Sequence, residues 1–312
     1  MKKPDRERPC RIGTRGSPLA LAQANEVRNH LAAAHGLDPE SFEIVVIRTT
    51  GDRVSDQPLR DFGGKGLFTK EIEEALLEGR IDCAAHSMKD VPVVQPEGLV
   101  IDACLRSEDV RDAFVSLSGG TLLEMPEGST LGTSSIRRRA QALRCRPDLN
   151  VVEFRGNVQT RLRKLESGVA KGTLLAMAGL RRLGLAGSAR VVPLDVNDML
   201  PAVGQGIIGL ERREDDRDVA QLIDAVRHAE TEARMQAERA FLARLDGSCR
   251  TPIAGYGEVR DGRLRLTGEI LRIDGSEAHA GTREGPVEDG PALGRDLAEA
   301  LLVEAGPGFL AP

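Results

Sequence analysis

The spacing of apolar runs and turn residues predicts an α/β chain of two alike lobes that ends in a small α+β domain with an antiparallel sheet. A strand, helix, strand rhythm runs from residue 44 to 85 and returns from about residue 129, and after residue 245 it gives way to short strands separated by Asp-Gly pairs. Alternating strands and helices imply parallel sheet, with functional loops at the carboxyl ends of the strands. At 312 residues and 40% hydrophobic content, the chain is long for a single core.

The elements follow in order. Arg15-Gly16-Ser17-Pro18 reads as a strand-to-helix turn, with Ser17 as N-cap and Pro18 at the first helical position. Residues 44–47 form a continuous apolar run of the buried-strand kind, ended by Thr49-Thr50-Gly51-Asp52. Phe68, Ile72, Ala75 and Leu76 share one helical face closed by Gly79, and residues 81–85 are the next strand. In the second stretch, strands end near Thr133-Ser134-Ser135 and Arg155-Gly156-Asn157, and the apolar run 174–180 leads to Arg181-Arg182 as a third arginine-bearing strand end. The run 207–210 returns the chain to the first sheet, and two lobes joined by crossing segments would leave a cleft between them.

Leu222, Val226, Ala229, Ala233, Ala237 and Phe241 predict one helix over 219–245. Residues 253–259, 264–273 and 277–282 are strands joined at Asp261-Gly262 and Asp274-Gly275, and Leu293, Leu297, Leu301 and Leu302 mark a closing helix. The expected division is 1–105 with 206–223, then 106–205, then 224–312.

Composition narrows the function. No apolar stretch approaches the roughly 20 residues that cross a bilayer. The charged start lacks the apolar segment of a secretory signal, so a cytoplasmic protein without a membrane partner is expected. The five cysteines (Cys10, Cys83, Cys104, Cys145 and Cys249) are widely spaced without CxxC, which suggests neither a disulfide framework nor a zinc site, and the histidines add no metal-ligand spacing. A net charge of -5, no Trp and one Tyr argue against nucleic acid. Yet arginines crowd residues 137–182, so an acidic protein carries a local cationic region whose ligand should be an anion.

Three sets of residues bear chemistry. Thr133-Ser134-Ser135 followed by Arg137, Arg138 and Arg139 puts hydroxyl caps and guanidinium groups at one helix start. Cations there oppose the macrodipole by about 0.3–1 kcal/mol each unless an anion binds; the alternative is a surface cap with solvated arginines. Arg155, Arg161 and Arg182 repeat the theme, and the planar fork of arginine suits carboxylates. Asp90, at the end of the 81–85 strand, is the acid–base candidate, against the alternative of a turn residue. Cys249, in a short polar loop beside Arg250, is the thiol best placed to be exposed and partly ionised, against the alternative of an inert cysteine. The Gly63-Gly64-Lys65-Gly66 loop lacks Walker spacing.

Taken in order, RGSPLA at 15–20, GGKGLF at 63–68, HSMKDVP at 86–92, GTSSIRR at 132–138, RGN at 155–157, residues 201–206 and the Cys249 loop resemble the porphobilinogen deaminase family. The resemblance runs from about residue 11 to at least 255. It implies two lobes like those of type II periplasmic binding proteins and a third domain presenting a cofactor cysteine. It also implies a transferase of tetrapyrrole biosynthesis that condenses four porphobilinogen molecules, with loss of ammonia, into hydroxymethylbilane. The implied cofactor is dipyrromethane, held through a thioether to Cys249. By the same match Asp90 is catalytic and Phe68 packs near pyrrole rings. Arg15, Ser17, Lys65, Lys89, Arg137, Arg138, Arg155, Arg161 and Arg182 would bind acetate and propionate groups, with Ser134, Ser135 and Gln205 completing the cofactor contacts. A monomer acting on a small molecule is expected. Asp61 stands where some relatives carry a lysine, and Lys171 where an acidic residue is usual. The competing reading, a two-lobed protein closing on a small anion, explains the arginines but leaves Asp90 and Cys249 without a task.

Overall fold

The computed structural model describes residues 4–53, 66, 68–188, 190–248 and 251–310. Asp61, Lys65, Cys249 and Arg250 lie outside the described residues. In chain order the elements are β1 (Cys10–Arg15), α1 (Pro18–His35), β2 (Phe42–Ile47), α2 (Thr50–Arg53), α3 (Lys70–Leu77), β3 (Cys83–Ser87), β4 (Leu99–Cys104), β5 (Asp112–Ser116), β6 (Thr130–Gly132), α4 (Ile136–Cys145), β7 (Asn150–Val152), α5 (Val158–Glu166), β8 (Gly172–Ala176), α6 (Met177–Arg182) and β9 (Val191–Pro193). They continue with β10 (Ile208–Arg213), α7 (Arg217–Asp224), α8 (Ala229–Arg244), β11 (Ile253–Arg260), β12 (Arg263–Leu271), β13 (Ala278–Pro286) and α9 (Gly290–Ala305). The chain divides into two compact units, one of residues 1–108 and 207–232, the other of 109–206 and 233–312.

The first unit holds a five-stranded sheet in the order β2-β1-β3-β10-β4. β1, β2 and β3 run parallel, while β10 comes back from the far part of the chain and pairs antiparallel with β3 and β4. The 207–210 run therefore returns the chain to the first sheet, as expected. α1 starts where Ser17 accepts from Ala20 N at 3.2 Å and stops at Gly36, whose φ of 63° suits a left-handed cap. It buries Ala24, Val27 and Leu31 against Ile12, Phe42 and Leu210. Such fully buried side chains contribute about 1.5–3 kcal/mol each.

The second unit repeats the arrangement as β7-β6-β8-β5-β9, with β5 antiparallel to both neighbours. The same unit carries the separate antiparallel sheet β11-β12-β13. Its own core is Phe241, Leu264, Leu266, Ile270 and Leu297. The β12–β13 turn seats on α4: a Cβ on Gly275, at φ 74°, would stand 2.5 Å from Arg144 N. Arg144 also pairs with Glu269 of β12. The architecture is thus α/β in two sheet-bearing parts, with a small antiparallel α+β part at the end.

Two expectations need correction. The helix predicted over 219–245 is two helices, because the helical ladder stops at 225–228, where His228 N donates to the distant Cys104 O and Arg227 pairs locally with Asp224 and Glu232. The apolar run 174–180 is half strand and half helix, so Arg181 and Arg182 end α6 and do not follow a strand. Among the described residues, no helix is long and apolar enough to cross a membrane.

Candidate active site

In the first unit, a recess opens where β1, β3, α1 and α3 meet, and Arg15, Ser17, Phe68, His86, Lys89 and Asp90 line it, with Gln23 of α1 beside them. The placement follows from local chemistry. β1 ends at Arg15 beside the Ser17 cap, which turns the chain directly into α1. The Arg15 guanidinium carbon lies 4.1 Å from the centre of the Phe68 ring, a cation–π stack that holds both side chains at the rim.

β3 is buried from Cys83 to His86 and then breaks into a 3-10 turn, Met88–Asp90. Met88 N donates to Ile207 O at 3.1 Å, and the Met88 side chain is buried over Gly209 of β10, where any Cβ would strike its sulfur. With the turn fixed from beneath, Asp90 is left exposed at its end. Below the recess, His86 Nε2 lies 2.9 Å from Glu211 Oε2, both side chains buried.

The second unit carries the arginines. Ser135 caps α4, accepting from Arg138 N, and Ser134 Oγ accepts from Phe154 N at 2.9 Å. Arg137 and Arg138 turn inward. Asp112 Oδ2 accepts from Arg137 Nη2 at 2.7 Å, while Oδ1 accepts from Arg138 Nη2 at 2.7 Å and from Gln205 Nε2 at 3.0 Å. Arg137 also donates to Leu200 O and Arg138 to Leu174 O. Burial alone would raise the Asp112 carboxyl, but the two guanidinium charges and the hydrogen bonds from Arg138 and Gln205 override it and hold it far below the usual carboxylate range. Burial in turn lowers Arg137, against the pull of Asp112.

Sequence reasoning missed Asp112. Its one signal was an acidic residue immediately before the apolar run 113–115. With two guanidinium groups on one carboxylate, the cluster keeps one excess positive charge.

Nearby in sequence, Arg161 Nε donates to Gly156 O at 2.9 Å, and Lys164 Nζ donates to Arg155 O at 3.0 Å. Arg182 Nη2 donates to Gly206 O at 3.3 Å. Arg155 Nη1 is buried without a hydrogen-bond partner, a cost of about 1–3 kcal/mol that an anionic acceptor would remove. This orphaned donor and the excess charge beside Asp112 fit a ligand with several carboxylates.

The family model "Porphobilinogen deaminase, dipyromethane cofactor binding domain" matches residues 10–221, and "Porphobilinogen deaminase, C-terminal domain" matches 233–303. The porphobilinogen deaminase of Paracoccus denitrificans (strain Pd 1222) is 61% identical over 306 residues, 98% of this chain and 97% of that protein. That of Nitrobacter winogradskyi is 54% identical over 298 residues, 96% and 94% of the two chains. Among solved structures, the VFT2 domain of Bordetella pertussis BvgS (double mutant F375E/Q461E) is similar at 14% identity and a TM-score of 0.41, over 70% of this chain and 85% of that one. An ancestral cationic amino acid solute binding protein, AncCDT-1, is similar at 14% identity and a TM-score of 0.42, over 70% and 88%. From both family models and from sequence identity along nearly its whole length, the chain belongs to the porphobilinogen deaminase family.

Proposed function

We propose that this chain condenses porphobilinogen in the recess of the first unit, with Asp90 as its acid–base and electrostatic group, as a monomer in the cytosol that binds neither nucleic acid nor membrane. The activity is that of a hydroxymethylbilane synthase: four porphobilinogen molecules are joined head to tail with release of ammonia, a step in tetrapyrrole biosynthesis. The observation that carries the residue roles is the convergence of Arg15, Ser17, Phe68, Lys89 and Asp90 on one recess.

Each residue has a physical task. Departure of ammonia from the aminomethyl group leaves positive charge on the substrate pyrrole, and a carboxylate aimed at the ring N–H stabilises that charge as it develops. Asp90, exposed at the end of a turn fixed from below, is free to accept that hydrogen bond and to take or return a proton. Arg15 and Lys89 neutralise the substrate's acetate and propionate, and Phe68 offers an apolar face to the ring. A dipyrromethane, when bound, supplies the free pyrrole α-carbon from which chain growth begins. Cys249 would hold it through sulfur, with Lys65, Ser134, Ser135, Arg137, Arg138, Arg155, Arg161, Arg182 and Gln205 holding or ordering its carboxylates.

The intact mass of the purified protein, before and after porphobilinogen, tests the reading. The expected result is one dipyrromethane adduct, then a ladder of added pyrrole units. A protein that only closes on a small anion would carry no covalent adduct, and that outcome would overturn the proposal.

A further inference from the structure

Beneath Asp90 lies a buried acid–base group to which neither the fold nor the proposed chemistry has yet given a task. His86 is 5% exposed and Glu211 1%, with Nε2 and Oε2 2.9 Å apart. The other oxygen of that carboxylate, Oε1, is buried and has no hydrogen-bond partner. The second nitrogen of the ring, Nδ1, makes no hydrogen bond among the described residues, and His86 lines the recess alongside Asp90.

We infer that His86 is a proton-relay residue for the condensation, taking up at Nδ1 the proton that each new bond releases into the recess, with Glu211 fixing the tautomer and stabilising the imidazolium. The inference rests on the proposed role of Asp90.

The proton balance gives such an acceptor a task. The new bond joins the methylene carbon of porphobilinogen to the free α-carbon of the acceptor pyrrole, and the C–N bond breaks with ammonia taking its electron pair. The acceptor ring regains aromaticity only when its α-carbon loses a proton, whose C–H electron pair returns to the ring. Asp90 receives that proton and must lose it before the next cycle. A neutral imidazole with its Nε2–H donated to Glu211 presents the Nδ1 lone pair as the acceptor. Once protonated, the ring stands 2.9 Å from a carboxylate whose other oxygen has no donor. The proton then passes to solvent through the recess.

The charged surroundings are asymmetric. Glu211 of β10 and Glu73 of α3 face the imidazole from the buried side, while Arg15, Lys89 and Asp90 line the recess on the other. Burial, with a further push from Glu211, raises the Glu73 carboxyl against the lowering from Thr69 and His86. Glu211 is the partner in hydrogen-bond contact with the ring.

His86→Gln keeps an N–H donor near the Nε2 position and removes the titratable nitrogen. In the cofactor-loaded enzyme we expect kcat to fall about 10- to 100-fold, less than the about 10²–10⁴ of a primary acid–base group, with KM within about twofold and melting unchanged. The acidic limb of the kcat–pH profile should flatten. Glu211→Gln should likewise lower kcat with KM little changed, because the ring loses the carboxylate that orients it. Independently of activity, ¹⁵N NMR of the histidine-labelled holoenzyme should show a ring whose Nδ1 loses a proton as pH rises while Nε2 stays protonated. A parental rate and profile in His86→Gln would overturn the inference, and so would a His86 ring that does not titrate between about pH 5 and 9 in the unmodified enzyme. A silent Asp90→Asn would instead remove the earlier reading, which the NMR titration does not touch.

Discussion

Asp90 and Asp112 are both aspartates beside arginines, and their surroundings give them opposite tasks. Asp90 is exposed in a recess with Arg15 and Lys89, so its charge faces whatever enters. Asp90→Asn keeps the size and turn-forming capacity while removing the charge. Turnover should fall by about 10²–10⁴, with partly elongated species persisting in the mass spectrum and melting little changed. Asp112 is fully buried between Arg137 and Arg138. Asp112→Asn strands two buried guanidinium groups and should cost about 3–5 kcal/mol in denaturant unfolding. The folded carboxyl lies below its unfolded value, so its contribution is full above about pH 4 and is lost as pH falls toward the depressed folded value. Acid unfolding of the parent should therefore steepen below about pH 4, and Asp112→Asn should lack that component.

At the scale of elements, β10 holds the Met88–Asp90 turn as well as joining β3 to β4 in the first sheet. Gly209 lies opposite His86 in the antiparallel register, and Met88 packs where its Cβ would be. Gly209→Ala should push the Met88–Asp90 turn outward, costing about 1–3 kcal/mol of stability as an overpacked core does. Activity should fall well beyond that loss, which measuring kcat at a temperature where the variant is fully folded would separate. This level of detail was only partly legible in the sequence. β1, α1, β3 and the capped start of α4 were readable because Ser17, Pro18 and Ser135 are local signals whose partners lie within three residues. Asp112 was not, because Arg137 and Arg138 are 25 and 26 residues away and only the fold joins them. The α7–α8 break was hidden for the same reason: an unbroken period of three and four ran through it, while the bond from His228 N to Cys104 O that interrupts it is tertiary.

Across the whole molecule, a net charge of -5 coexists with an excess of guanidinium groups in the second unit, a contrast that a polycarboxylate tether would resolve on the proposed reading. Of the five cysteines, Cys10, Cys83 and Cys104 are buried, and Cys83 is fully enclosed with its thiol pushed up chiefly by Cys10 and by burial, so none of the three offers a ready thiolate. Cys145 is exposed at the end of α4. On the proposed reading Cys249 is the nucleophile, and a hydroxyl in its place ionises far less readily. Cys249→Ser and Cys249→Ala should therefore be purified without the dipyrromethane mass and without activity, whereas Cys145→Ser and Cys10→Ser keep both. Because the ligand's carboxylates would satisfy Arg155 and the excess charge beside Asp112, the unloaded Cys249 variants should also melt below the loaded parent, as expected when a ligand binds only the folded state. An adduct that persists on Cys249→Ala, or that vanishes on Cys145→Ser, would reassign the tether.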